Sequence, residues 1–252
     1  MNTKPFDEFT HPNPDSGIYW GVPDEKYFSS NPVSKSILCE KFLGYTQPQD
    51  RSDANLRIGT AYDWIITNPK AYHSKVQFPG PVDRRTTAGR QRWEQLIKQK
   101  DDSVFIRDGS ERDALATALS NAQKEFPRLI AAASEKNAQL VGVVRHQSGQ
   151  MIKCKWDQIT PNSIVDHKTT SCGTQEEFID SVWAFQYHVQ AAMYQDIWKM
   201  LTGEVRDFIF AVSSKRSDSW EGAWLIEPSR SQMKTGYRMY QGMVNAHRWL
   251  IK

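Results

Sequence analysis

Apolar and polar positions follow two textures along this chain, and the change falls near residue 139. Upstream, Ser34–Leu43 has the pattern of a short helix with Asn31 or Ser34 as its cap, and Arg57–Ile66 (RIGTAYDWII) that of a second, stopping before Asn68-Pro69. Residues 74–90 mix Pro, Gly and charges without periodicity and read as a loop. Ala114, Leu115, Ala118, Leu119 and Ala122 mark Ser110–Lys124 as helical. Residues 1–30, rich in Pro, Asp and Ser, read as an extended N-terminal arm. From Gln139 onward, Gln139–Val144, Met151–Ile159 and Ser163–Lys168 are short apolar or alternating runs, split by the turn signals Gln147-Ser148-Gly149 and Pro161-Asn162. Glu176–Leu201 reads as one long helix with a stripe of Phe178, Val182, Phe185, Val189, Ala192 and Met193. Asp207–Ser213 and Gly222–Ile226 read as two further strands, and Ser229–Lys252 as a closing helix capped by Ser229. The order β-β-β-α-β-β-α after a helical region predicts an α/β (α+β) fold with a central mixed sheet flanked by helices. The expected organisation is the arm over 1–30 and one domain over 31–252, helical in 31–134 and sheet-based in 135–252.

Composition narrows this picture only slightly. The 252 residues suffice for one substantial core, and nine Trp indicate a folded chain. No apolar run is long enough to span a membrane, and the N-terminus lacks the charged-then-apolar pattern of a secretory signal. A cytoplasmic protein is expected. Cys39, Cys154 and Cys172 are odd in number and scattered, which suits reduced thiols better than disulfides or zinc. The net charge of +3 does not announce a nucleic-acid binder. Its distribution says more, because Arg84, Arg85, Arg90 and Arg92 cluster, with Lys98 and Lys100 just beyond. That patch is either a solvated surface or a set of phosphate contacts.

The stretch CKWDQITPNSIVDHKTT carries the candidate chemistry. Residues i and i+2 of a strand share a face, so Asp166 and Lys168 project together while His167 points away as a structural residue. If Met151–Ile159 is the neighbouring strand, Asp157 can reach the same spot. Two carboxylates and an ammonium group at a strand end suit a hard divalent cation beside a phosphodiester. The other reading is an ordinary salt bridge, Asp166–Lys168 or Asp157–Lys155. Gln190 and Tyr194 share a helix face at i and i+4, with Tyr187 about a turn earlier. His188 either reaches DNA or sits at the surface, and Trp156, Trp183 and Trp220 read as core or rim.

Taken together, a strand bearing Asp157, a second ending in Asp166-His167-Lys168-Thr169-Thr170, and a helix bearing YHVQAAMY resemble the PD-(D/E)XK nuclease superfamily. Within it the pattern is most similar to the RecE-like exonucleases of phage and prophage recombination. SKSIL (Ser34–Leu38), IGTAYDWIITNP and RQRWEQLIKQK extend the resemblance upstream, over roughly residues 17–200. It implies a restriction-endonuclease-like core and Mg²⁺-dependent hydrolysis of one strand of duplex DNA from a free 5′ end, with Mn²⁺ as an alternative ion. In those terms Asp157, Asp166 and Lys168 hold metal and position water, and Gln190 and Tyr194 support them. Relatives form ring-shaped homo-oligomers and pass the single strand to an annealing protein, in a bacterial or phage-infected cell.

Two positions depart from the family pattern. Asp63 stands where relatives place a metal-facing His, and Asp is a competent Mg²⁺ ligand. Gln139 stands where a carboxylate is expected, with Glu135 four residues earlier as the alternative donor. The rival readings are an endonuclease or single-strand nuclease of the same superfamily, and a non-catalytic DNA-binding scaffold. Three scattered cysteines argue against the iron–sulfur nucleases of CRISPR adaptation, which carry four.

Overall fold

The computed structural model describes residues 2–44, 54–70, 72–98 and 103–250. The chain begins with β1 (Lys4–Pro5), β2 (Gly17–Trp20), α1 (Asp24–Ser29), α2 (Lys35–Leu43) and α3 (Ala54–Thr67). Next come β3 (Val76–Gln77), α4 (Thr87–Lys98), β4 (Val104–Phe105), α5 (Ser110–Glu125) and α6 (Pro127–Ala131). The second half holds β5 (Ala138–Arg145), β6 (Met151–Ile159), β7 (Ser163–Thr170), α7 (Gln175–Ala184) and α8 (Tyr187–Thr202). It ends with β8 (Asp207–Ser214), β9 (Ala223–Ile226) and α9 (Arg230–Trp249). Lys100 and the last two residues of the expected closing helix lie outside the described residues.

Seven strands form one mixed, mostly antiparallel sheet in the order β1-β2-β5-β6-β7-β8-β9, with β1–β2 and β7–β8 parallel. The β7–β8 pair is joined through α7 and α8, the crossover that a parallel connection requires. One face buries Ile152, Cys154, Trp156, Ile164, Phe210 and Val212 under α2, α7, α8 and α9. The other places Val165 and Ala211 against Ile58, Ala61 and Tyr62 of α3 and Leu115 and Ala118 of α5. Trp156 and Trp198 meet edge to face at 5.4 Å. A Cβ at Gly142 of β5 would lie 2.3 Å from the Trp156 ring, so only glycine fits there.

The start of the chain corrects the expectation of an arm. Residues 4–5 and 17–20 extend the sheet, and Tyr19 is fully buried against Val141 and Val143 of β5. Strands of two and four residues in a Pro- and Asp-rich stretch are too short to show a period. The loop expected over 74–90 is also shorter than thought, since α4 begins at Thr87.

The long helix expected over Glu176–Leu201 is two helices. Gln186 sits in the left-handed region at φ 56, and the Phe185 amide closes α7 on Ser181 O and Trp183 O. Lys35 Nζ of α2 donates to Phe185 O at 3.1 Å. The break therefore rests on a tertiary contact, with neither Gly nor Pro marking it. Among the described residues no helix is long and apolar enough to cross a membrane.

Candidate active site

The β6–β7 pair is registered only at Gln158↔Val165 and Ile159↔Ile164. Beyond those positions a side chain takes over from the backbone ladder: Asp157 Oδ2 accepts the His167 amide at 2.8 Å. Ile152, Cys154 and Trp156 share the α8-side core with Ile159. That odd spacing means the alternation of β6 breaks once between Trp156 and Ile159. Across from the break, Gln139 of β5 sits between the paired positions Ala138↔Gln158 and Leu140↔Trp156, with φ 54. A non-glycine residue held there costs roughly 1–3 kcal/mol, and such strain collects at functional sites.

Into this irregular stretch three elements send polar side chains. From β7, Asp166 accepts Gln190 Nε2 of α8 on Oδ1 at 2.5 Å and pairs through Oδ2 with Lys168 Nζ. From α3, Asp63 accepts Gln139 Nε2 on Oδ2 at 2.8 Å, while its Oδ1 is buried without a hydrogen-bond partner. Lys168 Nζ lies 5.0 Å above the Tyr187 ring. Tyr194 packs against the core next to Trp156, whose indole N–H donates to Tyr194 O at 3.2 Å.

The electrostatics follow from crowding carboxylates away from water. Burial raises the Asp63 pKa to about 6 despite Lys155, Gln139 and Lys168. Burial, then repulsion from Asp63 and Asp166, raises Asp157 well above the carboxylate range. Burial alone would lower Lys168, but Asp166 and Asp157 outweigh it and raise its pKa. Burial also raises the Tyr194 phenol. Such a group of carboxylates, with one orphaned oxygen, suits a hard divalent cation better than it suits itself. The side chains are turned toward Gln139, Lys168, Gln190 and the His167 amide. Accordingly, among the described residues no three of His, Cys, Asp and Glu already converge as a cage. Asp63, Asp157 and Asp166 are the residues that could hold a divalent metal.

The sequence-predicted set thus divides. Asp63, Asp157, Asp166, Lys168 and Gln190 come together, with Tyr194 one turn along α8 from Gln190. Arg84, Arg85, Arg90 and Arg92 lie elsewhere, on the 79–86 loop and the exposed start of α4. Arg85 is paired with Asp83 at 3.0 Å, and Arg90 donates to Arg85 O at 3.1 Å. Glu135 is exposed in the turn before β5, so the compensating carboxylate is not where it was expected, and Gln139 faces Asp63 instead. Lys155 pairs with Asp24 of α1 at 2.5 Å rather than with Asp157. His188 is buried and bonded to Val182 O at 3.1 Å, so it reaches neither DNA nor the surface. His167 is buried beside Gln158, as a structural residue should be.

Sequence reasoning missed Lys35. It is buried at the first position of α2, and it feels the charges of Lys168 and Asp166. A cation at a helix N-terminus opposes the dipole, which was the available signal.

A mixed sheet between helix layers, with Asp157 on one strand and Asp166-x-Lys168 on the next, defines a PD-(D/E)XK-type fold. The chain belongs to the family described as PDDEXK-like domain of unknown function (DUF3799), whose model matches residues 63–252. The match begins at Asp63 and so takes in the whole cluster, though not Lys35. Among solved structures the chain is similar to a candidate exonuclease from Eubacterium rectale. The two share 17% identity over 84% of this chain and 70% of that one, with a TM-score of 0.55. At that identity the likeness is one of fold. No curated protein matches the sequence.

Proposed function

We propose that this protein is a divalent-metal-dependent deoxyribonuclease of RecE-like type, degrading one strand of linear duplex DNA from a free 5′ end. The observation that carries the reading is the meeting of Asp157, Asp166 and Lys168 at the point where β6 and β7 part. Asp63, Asp157 and Asp166 are the proposed ligands, with Mg²⁺ the expected ion and Mn²⁺ a substitute. A bound divalent cation supplies Lewis acidity and lowers the pKa of water. Lys168 holds a fixed positive charge where negative charge grows on the phosphate, and orients the attacking water. Gln190 fixes the rotamer of Asp166, and Tyr187 backs Lys168 so that the ammonium stays in place. The arginines at 84, 85, 90 and 92 are proposed as phosphate contacts. A ring-shaped homo-oligomer, an annealing partner and a role in recombination follow only from the resemblance.

A second reading is favoured by one contact. Gln139 occupies an oxygen of Asp63 where relatives carry a carboxylate, which suits a diverged DNA-binding scaffold. Digesting linear duplex labelled at one 5′ end, in Mg²⁺ and then Mn²⁺, separates the two. Early release of labelled mononucleotides, lost in Lys168→Ala, is expected. Intact DNA in both metals with binding retained supports the scaffold, and cutting of closed circles supports an endonuclease.

A further inference from the structure

A cavity of about 390 Å³ opens between the 79–86 loop, α4 and the segment after β4. Its size is at the low end of small-molecule sites and suits a single nucleotide. The loop is fixed against the helix. Asp83 O accepts the Thr86 amide at 3.1 Å, and a Cβ at Gly89 would lie 1.9 Å from that same oxygen. Only glycine permits this approach.

The lining is aromatic and cationic. Arg84 and Arg107 both lie over the half-buried Trp93 ring, at 5.4 and 5.2 Å. The acids nearby are already engaged, Asp83 with Arg85 and Asp108 with Arg112 at 3.2 Å. Arg107 Nε is buried with no hydrogen-bond partner, standing 3.8 Å from Glu111 Oε1. Glu111 in turn is held by Arg57 through two contacts, 2.5 and 3.2 Å. Two guanidinium groups therefore stand over one aromatic ring, and Arg107 shares its carboxylate, Glu111, with Arg57.

We propose that this cavity binds one unpaired nucleotide of a DNA strand, its phosphate on Arg84 and Arg107 and its base stacked on Trp93. The inference rests on the nuclease reading for its substrate and adds a single-strand subsite to it. The cavity is linked to the metal-site helix, because Arg107 and Glu111 connect to Arg57. Arg57 precedes Asp63 on α3 by six residues, about 9 Å along the axis. A strand bound at both places would be drawn away from its complement, giving single-strand contacts a purpose in a duplex-degrading enzyme. Base–aromatic stacking tolerates any sequence, as such an enzyme requires.

The test uses the whole protein in EDTA, so that nothing is cut. A single-stranded oligodeoxynucleotide carrying 2-aminopurine is titrated with wild type, Trp93→Ala, Trp93→Phe and Arg84→Gln, each first checked for an unchanged melting curve. The expected result is fluorescence quenching by wild type and Trp93→Phe, and affinity for the strand about tenfold weaker in Trp93→Ala and Arg84→Gln. Blunt duplex binding should change much less. Equal strand affinity in all four proteins overturns the proposal, as does an equal loss for strand and duplex. Quenching by free 2-aminopurine deoxynucleoside monophosphate at matching affinity would make the cavity a mononucleotide site and overturn the strand assignment. Adding Mg²⁺ and duplex DNA then separates the two readings. Cleavage with no effect of the variants on strand binding removes only the subsite. Strand binding that depends on Trp93, without cleavage, removes only the nuclease.

Discussion

Two lysines on neighbouring strands show how differently a buried charge can be used. Lys153 of β6 is 1% exposed and donates to Tyr27 O at 2.6 Å, Ser30 O at 2.8 Å and Ser30 Oγ at 3.0 Å. None of these three partners is a carboxylate, and burial holds its pKa down to about 8. Its three acceptors match its three protons, so it ties the α1 segment to the sheet. Lys168 of β7 is paired with Asp166 inside a cluster whose negative charges exceed its own. Burial alone, then, does not identify a functional charge. An imbalance among its neighbours does, because only an unbalanced site gains from binding something else.

The comparison is broken most directly at Lys168. Lys168→Ala should lower the rate of DNA cleavage by about 10²–10³-fold, the cost of losing one preorganised charge. Single-turnover release of labelled nucleotide at saturating Mg²⁺ measures it. A variant that cuts as fast as wild type would return the Asp166–Lys168 contact to the plain salt bridge that the bare sequence also allowed.

The opposite outcome is expected at Lys153. Lys153→Met leaves two carbonyls and a hydroxyl without their donor, costing roughly 3 kcal/mol of stability while the folded fraction keeps its activity. Urea denaturation gives the first quantity and cleavage per folded molecule the second. The pH dependence carries a sign as well. The unfolded chain keeps the proton up to the ordinary lysine value of 10.5, and the folded chain releases it near 8. Stability should therefore rise between about pH 8 and 10.5 in wild type by an increment that Lys153→Met lacks.

The two lysines also show where the sequence is readable. Strand alternation and flanking turns located β5, β6 and β7 to within a residue or two, and the i, i+2 rule joined Asp166 to Lys168. Nothing local could report that Lys153 meets Tyr27 and Ser30, more than 120 positions away. The same applies to the helix break at Gln186, which depends on Lys35, and to the meeting of Arg107 with Trp93. The N-terminal strands were missed for a related reason: a four-residue strand such as β2 gains its identity from the edge of β5 that it covers.

A smaller effect follows from the crowding of carboxylates. Asp157→Asn keeps an acceptor for the His167 amide and removes the cost of burying a carboxyl group beside Asp63 and Asp166. In chelator its melting midpoint should rise by about 2–4 °C, the equivalent of roughly 1 kcal/mol, while cleavage is lost. A fall in the midpoint would mean that the hydrogen bond to His167 outweighs that cost.

Gln139 sharpens the contrast at its finest point. Its amide donates to Asp63 Oδ2 and so partly satisfies a group that would otherwise seek a cation. Gln139→Glu exchanges that donor for another acceptor, turning a site that is partly balanced from within into one that needs an external charge. The half-saturating Mg²⁺ concentration for cleavage should fall several-fold, and the apoprotein should melt slightly lower, since a further carboxylate now faces Asp63. Both shifts have one cause and should appear together. Destabilisation without tighter metal dependence would place Gln139 beside the ligands but out of reach of the ion. It would then leave Asp63, Asp157 and Asp166 as the complete acidic set.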